Sequence, residues 1–152
     1  MKRAALTPQL NSLLLAAREI AEANAAVAVV ILAELPYDFQ EVGTVLQTVR
    51  LIVSSDKPDV QRAATEDGIG VVPLLHEPQT RQLQLSQALL EAMADNFLQT
   101  GDTVVALYAV FERDTIDTIS VMHLAEHLSK LTARDLQRLE TQVPLETLRT
   151  VV

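Results

Sequence analysis

The stretch Ala25-Ala-Val-Ala-Val-Val-Ile-Leu-Ala33 decides the fold. Nine residues pass without a polar side chain, and the centre, Val27 to Leu32, is rich in β-branched types. A run of ~20 apolar residues would be needed to span a bilayer, so this is a strand. Being apolar on both faces, it belongs inside a parallel sheet covered by helices on either side. Successive side chains alternate, so Val27, Val29 and Ile31 are expected on one buried face and Ala28, Val30 and Leu32 on the other.

Upstream, Thr7-Pro8 reads as an N-cap followed by proline at the first helical position. Leu10, Leu13, Leu14, Ala17, Ile20 and Ala21 then recur at 3–4 spacing, which predicts an amphipathic helix over 8–24. Downstream, Glu34 to Phe39 forms a loop around Pro36, and Val42 to Thr48 forms a short helix. Arg50 to Ser54 is a second buried strand. Pro58 opens a helix that Gly68 closes as the residue after its C-cap. Val71 to Leu75 is a third strand, at a sheet edge because Pro73 cannot donate to a ladder. A long helix follows over Thr80 to Phe97, where Leu85, Leu89, Met93 and Phe97 recur every four residues.

Thr103 to Ala109 and Thr118 to Leu124 are the fourth and fifth strands. Only residues 110–117 separate them. A parallel crossover takes about a dozen residues or more, so strand five must run antiparallel to strand four. The alternation of elements predicts a layered α/β fold. Residues 125–152 hold charged helical segments without a strand, and read as an extension or linker beyond a domain at 1–124.

Composition narrows the function. The chain has 152 residues, no cysteine and a formal net charge of −8. An acidic chain lacks the basic face that nucleic acid or an anionic membrane requires. With aromatics at 3%, a base-stacking platform is also excluded. Thr7, Pro8, Gln9 and Asn11 interrupt the apolar region that a signal peptide would need after Met1-Lys2-Arg3, so the expectation is a cytoplasmic protein.

The order of motifs resembles the C-terminal α/β domain of pyruvate kinase over roughly residues 10–124. The residues that carry it are Ala16-Ala-Arg-Glu-Ile-Ala21 leading into Ala28-Val-Val-Ile31, then Leu51-Ile-Val-Ser54, Asp67-Gly-Ile-Gly-Val71, Thr100-Gly-Asp-Thr-Val-Val105 and Ile116-Asp-Thr-Ile119. The resemblance implies a three-layer α/β/α fold on a five-stranded mixed sheet, order 3-2-1-4-5, with strand five antiparallel. Gly101 to Tyr108, Asp117-Thr-Ile119 and Glu126-His-Leu-Ser-Lys-Leu131 further resemble a domain found ahead of the catalytic domain in some diadenylate cyclases, which join two ATP molecules into cyclic di-AMP. Val143 to Val152 is similar to the start of that next domain. The cyclase motifs Asp-Gly-Ala and Arg-His-Arg are absent, and Asp67-Gly68-Ile69 is no substitute. The resemblance therefore implies a non-catalytic regulatory or scaffolding domain. Its partner would be a nucleotide-binding cyclase domain following residue 152, with homo-oligomerisation as a further possibility.

Two other functions have residues behind them. One is a stand-alone small-molecule effector domain. Open α/β sheets bind ligands at the carboxyl ends of their strands, where strand order reverses, here between strands one and four. The loops there carry Glu34, Tyr37 and Asp38, and Phe111, Glu112, Arg113 and Asp114. Ala33-Glu34-Leu35-Pro36 lacks the hydroxyls and glycine of the pyruvate kinase phosphate loop, only Arg113 offers positive charge, and carboxylates repel phosphate. A second anion site could form at Ser54-Ser55-Asp56-Lys57, before a helix N-terminus. N-capping by Ser55 or Asp56 is the simpler account of that stretch. The other function is a hydrolase, because His123-Leu-Ala-Glu126-His127 matches the H-x-x-E-H zinc peptidase pattern. His123 is expected to end a strand, so the two rings need not share a face. No metal and no cofactor are expected. His76 beside Glu77 reads as a loop residue without a role, and Arg134, Arg138 and Arg149 as a solvated helix face.

Overall fold

The computed structural model describes residues 2–75 and 80–129. Its elements run α1 (Pro8–Ala23), β1 (Ala28–Leu32), α2 (Phe39–Leu46), β2 (Arg50–Ser55), α3 (Pro58–Glu66), β3 (Gly70–Pro73), α4 (Arg81–Ala94), β4 (Thr103–Tyr108), β5 (Thr118–His123) and α5 (Leu124–Ser129). The strands form one sheet in the order β3-β2-β1-β4-β5. β1 pairs in parallel with β2 and β4, β2 in parallel with β3, and β4 antiparallel with β5. The architecture is the one expected, including Pro73 on an edge strand.

The period-two alternation of β1 divides the interior into two cores. Val29 and Ile31 join Leu51, Val53, Val105 and Leu107 beneath α1, α2 and α3. Ala28, Val30 and Leu32 join Ile52, Val104 and Ala106 beneath α4, with Met122 and Leu124. All five β1 residues are buried. Burying an aliphatic side chain of this kind stabilises by about 1.5–3 kcal/mol, so this strand anchors both layers.

The run from Ala25 does not all become strand. Ala25 takes φ 52, a left-handed turn between α1 and β1. Val27 donates its N–H to Thr103 O at 2.9 Å, but its side chain is 43% exposed. Val27 precedes β1, which begins at Ala28, so apolarity alone overstated the buried length.

Three helix ends also differ from expectation. α2 begins at Phe39 rather than Val42, because the Asp38 carboxylate accepts from Glu41 N at 3.1 Å. It ends at Leu46, where Gln47 turns with φ 56. α4 stops at Ala94, since Asn96 adopts φ 64 and redirects the chain before Phe97. At α1 the cap is as expected, with Thr7 Oγ1 accepting from Leu10 N at 3.1 Å. Gly68, at φ 74, follows the Asp67 C-cap of α3 as expected. The expectations for His76, for Arg134, Arg138 and Arg149, and for Val143 to Val152 fall outside the described residues.

The N-terminal segment is tied down. Ala4 bridges to Tyr37, and the Arg3 guanidinium donates to Asp67 at 2.7 and 3.1 Å, to Tyr37 O at 2.9 Å and to Ala63 O at 3.2 Å. Asp67 also accepts from Phe39 N at 2.9 Å. The Arg3 hydrogen bond holds the Asp67 carboxyl below its ordinary range, with the Phe39 amide adding to the effect.

Candidate functional site

The parallel strands β1, β2 and β4 deliver their following loops to the same end of the sheet. The helices that follow β2 and β3 start at that end, so their first residues face the strand ends too. Glu34 stands just past β1. The preceding residue, Ala33, still donates to Ser54 O at 3.1 Å, which fixes where the carboxylate emerges.

Three cations meet that carboxylate. Lys57 Nζ lies 3.1 Å from Glu34 Oε2, an Arg81 terminal nitrogen 3.6 Å from Oε1, and Arg113 Nε 4.0 Å from Oε2. They come from the β2–α3 turn, the start of α4 and the β4–β5 loop. Arg81 is further fixed by donation from Nε to Ala109 O at 2.6 Å and from a terminal nitrogen to Gln84 Oε1 at 2.6 Å. The Glu34 side chain is only 15% exposed. Its Oε2 nevertheless has no aligned hydrogen bond, so the Lys57 contact is a charge pair out of line for donation.

The two sites expected from sequence are therefore parts of one. Glu34, Lys57 and Arg113 converge, and Arg81 completes the group. Position after Thr80, the N-cap of the helix that follows β3, was the signal that could have placed Arg81 at this end. The reading of Arg113 as the sole positive charge is corrected: Lys57 and Arg81 both stand closer to Glu34.

The serines are engaged elsewhere. Ser54 is fully buried, and its hydroxyl donates to Val72 O at 2.9 Å, clamping β2 to β3. Ser55 Oγ accepts from Lys57 N at 3.1 Å, and Ser55 O accepts from Gln61 Nε2 at 2.8 Å. These bonds shape the turn that aims Lys57. Neither Ser55 nor Asp56 caps α3: the N-cap position is Lys57, without a side-chain cap. Asp56 lies in the bend between them.

The β4–β5 loop is pinned by Asp117, whose carboxylate accepts from Val110 N at 2.9 Å, Phe111 N at 3.1 Å and Thr118 Oγ1 at 2.7 Å. The Thr118 hydroxyl and then the loop amides hold this carboxyl below its usual range. The loop presents Phe111 at 87% exposure, two residues before Arg113. Across the site, burial pushes the Tyr37 hydroxyl up, and the nearby Asp114 charge adds to that.

The histidines do not share a helix face. His123 closes β5 and its Nδ1 shares a hydrogen bond with Thr103 Oγ1 at 2.9 Å. His127 sits on α5, its Nε2 paired with Ser86 Oγ at 3.0 Å. Among the described residues no group of three or more His, Asp or Glu could hold a metal, and no helix is long and apolar enough to cross a membrane. At the opposite end of the sheet, Arg50, Gly70 and Phe97 line an open depression. It lies at the amino ends of β2 and β3, and the Arg50 guanidinium covers the Phe97 ring at 5.2 Å.

The family described as "Probable sensor domain DacZ_P" matches residues 9–132. The chain belongs to the DacZ_P family. The sequence resemblance to a cyclase-associated accessory domain is borne out by that membership. The DacZ_P fold is also similar to a solved structure, Cryptosporidium parvum pyruvate kinase in complex with ADP, with a TM-score of 0.63 and 18% identity. The similarity covers 78% of this chain and 24% of that one, so the DacZ_P domain corresponds to about a quarter of the pyruvate kinase chain. This bears out the pyruvate-kinase-like fold. No curated protein matches the chain.

Proposed function

We propose that this domain is the non-catalytic sensor of a diadenylate cyclase, acting in the cytoplasm on a catalytic domain that follows residue 152. The observation that carries this reading is the DacZ_P match across 9–132 in a chain without either cyclase motif. The Asp-Gly of the sequence, Asp67-Gly68, sits at the end of α3, where the Asp67 carboxylate is occupied by Arg3 and the Phe39 amide. That supports assigning ATP chemistry to another domain. Self-association of the sensor would bring two cyclase domains together, which suits a product built from two ATP molecules.

The charged group at Glu34 favours a sensing role over a purely scaffolding one, and it would serve a stand-alone effector domain equally. The carboxyl end of the sheet is where this fold class takes ligands. Incubating the chain with ATP and a divalent metal, then separating the products by chromatography, tests the assignment. No cyclic di-AMP is expected. Product above a no-protein control would make the domain an enzyme and overturn it.

A further inference from the structure

We propose that the outer face of α4 is a docking surface for residues 130–143 of the same chain, so that the chain leaves the domain seated along that helix. A helix laid on a sheet ordinarily buries one stripe and turns the other to water. α4 does not. Leu85, Ala88, Leu89, Ala92 and Met93 form the stripe that joins the core over the sheet. Leu83, Ser86, Gln87 and Leu90 fall on the opposite side of the helix, at 3–4 spacing. None of these four is more than 8% exposed. Leu83 and Leu90 nevertheless join neither of the two cores. Burial also pushes the Glu91 carboxyl up, with the Asp95 charge adding to it, so the dry surface extends to the residue beside Leu90.

α5 delivers the chain to this face. It starts at Leu124, inside the core shared with α4, and by His127 it has reached Ser86, with Nε2 and Oγ 3.0 Å apart. Leu83 and Leu90 lie about 10 Å apart along α4, on either side of Ser86. α5 rises only about 9 Å over its six residues, and its first turn is spent in the other core. More chain is needed to cover both leucines, and the sequence after Ser129 supplies it. Thr132-Ala-Arg-Asp135 has the spacing of a capping box. Leu136, Leu139 and Val143 then recur at 3–4 spacing, Arg134, Gln137, Arg138 and Thr141 fall off that stripe, and Pro144 ends the stretch. A helix this short is marginal in water by itself, so its stripe needs a surface. The four residues before Thr80, His76-Glu-Pro-Gln79, carry no long aliphatic side chain and are bound by the chain to the start of α4, far from Leu90. The family match ends at residue 132, ahead of the Leu136 stripe.

α4 then meets Glu34 through Arg81 at its first turn and holds the outgoing chain along its length. The docking stands whether or not a cyclase follows, and only its use in signalling rests on the sensor reading. The chain has no cysteine, so one introduced thiol in the full 152-residue protein reports on this face alone. Maleimide should label Leu90→Cys about tenfold more slowly than Val27→Cys, the reference at an exposed position. Adding Leu136→Asp and Leu139→Asp should bring the Leu90→Cys rate up to that of Val27→Cys, with the circular dichroism of the sheet retained. The same pair in the otherwise wild-type chain should lower the melting temperature by several degrees. Fast labelling of Leu90→Cys alone would show an open face and overturn the proposal. Slow labelling that the aspartate pair leaves unchanged would assign the cover to other residues and overturn it too. Protection that fades on dilution, with a dimer seen by light scattering, would assign the cover to a second copy and overturn docking within one chain. If Leu90→Cys does not fold, the melt decides: a wild-type melting temperature for the aspartate pair places residues 130–143 off the domain and overturns the proposal.

Discussion

Lys57 Nζ stands 3.1 Å from Glu34 Oε2, joining the turn after β2 to the turn after β1. This contact makes one site of two stretches that look unrelated in the sequence. It also places the charged group where two neighbouring parallel strands end, beside the point at which strand order reverses.

The centre of the sheet gives the sharpest stability contrast. Ile31 is 1% exposed on β1, whereas Val27 is 43% exposed just before it. Ile31→Asp should prevent folding, since an unpaired buried carboxylate costs several kcal/mol. Val27→Asp should change stability by no more than about 0.5 kcal/mol. Denaturant melts of both variants check this. A folded Ile31→Asp protein with an unchanged midpoint would contradict the central placement of β1.

Arg3 holds the N-terminal segment to α3 and to the loop before α2. Arg3→Ala removes charge-assisted hydrogen bonds to a mostly buried carboxylate. Such bonds contribute roughly 1.5–3 kcal/mol. A fall in melting temperature of several degrees is expected for a domain of this size. An unchanged melt would show that the segment is not anchored through this pair.

The same pair contributes to the response to acid. Asp67 is held below its ordinary carboxyl range in the folded state, chiefly by Arg3. In that window the unfolded chain binds more protons, so stability rises with pH. The contribution is present in full above the unfolded Asp value of about 3.9 and is lost as pH falls through the folded one. Asp67→Asn should flatten the stability profile below about pH 5. A profile as steep as wild type would assign the acid sensitivity to other carboxylates.

Gln47 ends α2 at φ 56 and ψ −115, a conformation that costs a residue with a Cβ roughly 1–3 kcal/mol. Gln47→Gly should therefore raise stability by about 1 kcal/mol after the added freedom of the unfolded glycine, read as a higher denaturation midpoint. A lowered midpoint would show that the Gln47 side chain contributes more than its backbone costs.

Much of the fold was legible because its signals are local. The length of the segment between β4 and β5 fixed their antiparallel pairing, and Pro73 marked an edge. Element ends were harder to read. The left-handed turns at Ala25, Gln47 and Asn96 occur at residues that do not advertise them, and Asp38 capped a helix earlier than its apolar spacing suggested. The site was legible only in pieces. Glu34, Lys57 and Arg113 stood out as charged loop residues, but their meeting depends on sheet order. Arg81 was hidden at the start of a helix read for its apolar stripe. In the sequence the Glu34 charge has no visible partner, whereas in the fold Lys57, Arg81 and Arg113 stand 3.1, 3.6 and 4.0 Å from its carboxylate.

The central claim is that this domain senses for a cyclase rather than acting itself. The direct test is the rate of cyclic di-AMP formation from ATP by the catalytic domain, joined to residues 1–152 and without them. The account predicts that the joined protein runs at a different rate from the bare catalytic domain. It also predicts that Lys57→Ala or Arg81→Ala in the joined protein alters that rate while leaving the fold intact. Equal rates for the joined and bare proteins would contradict it.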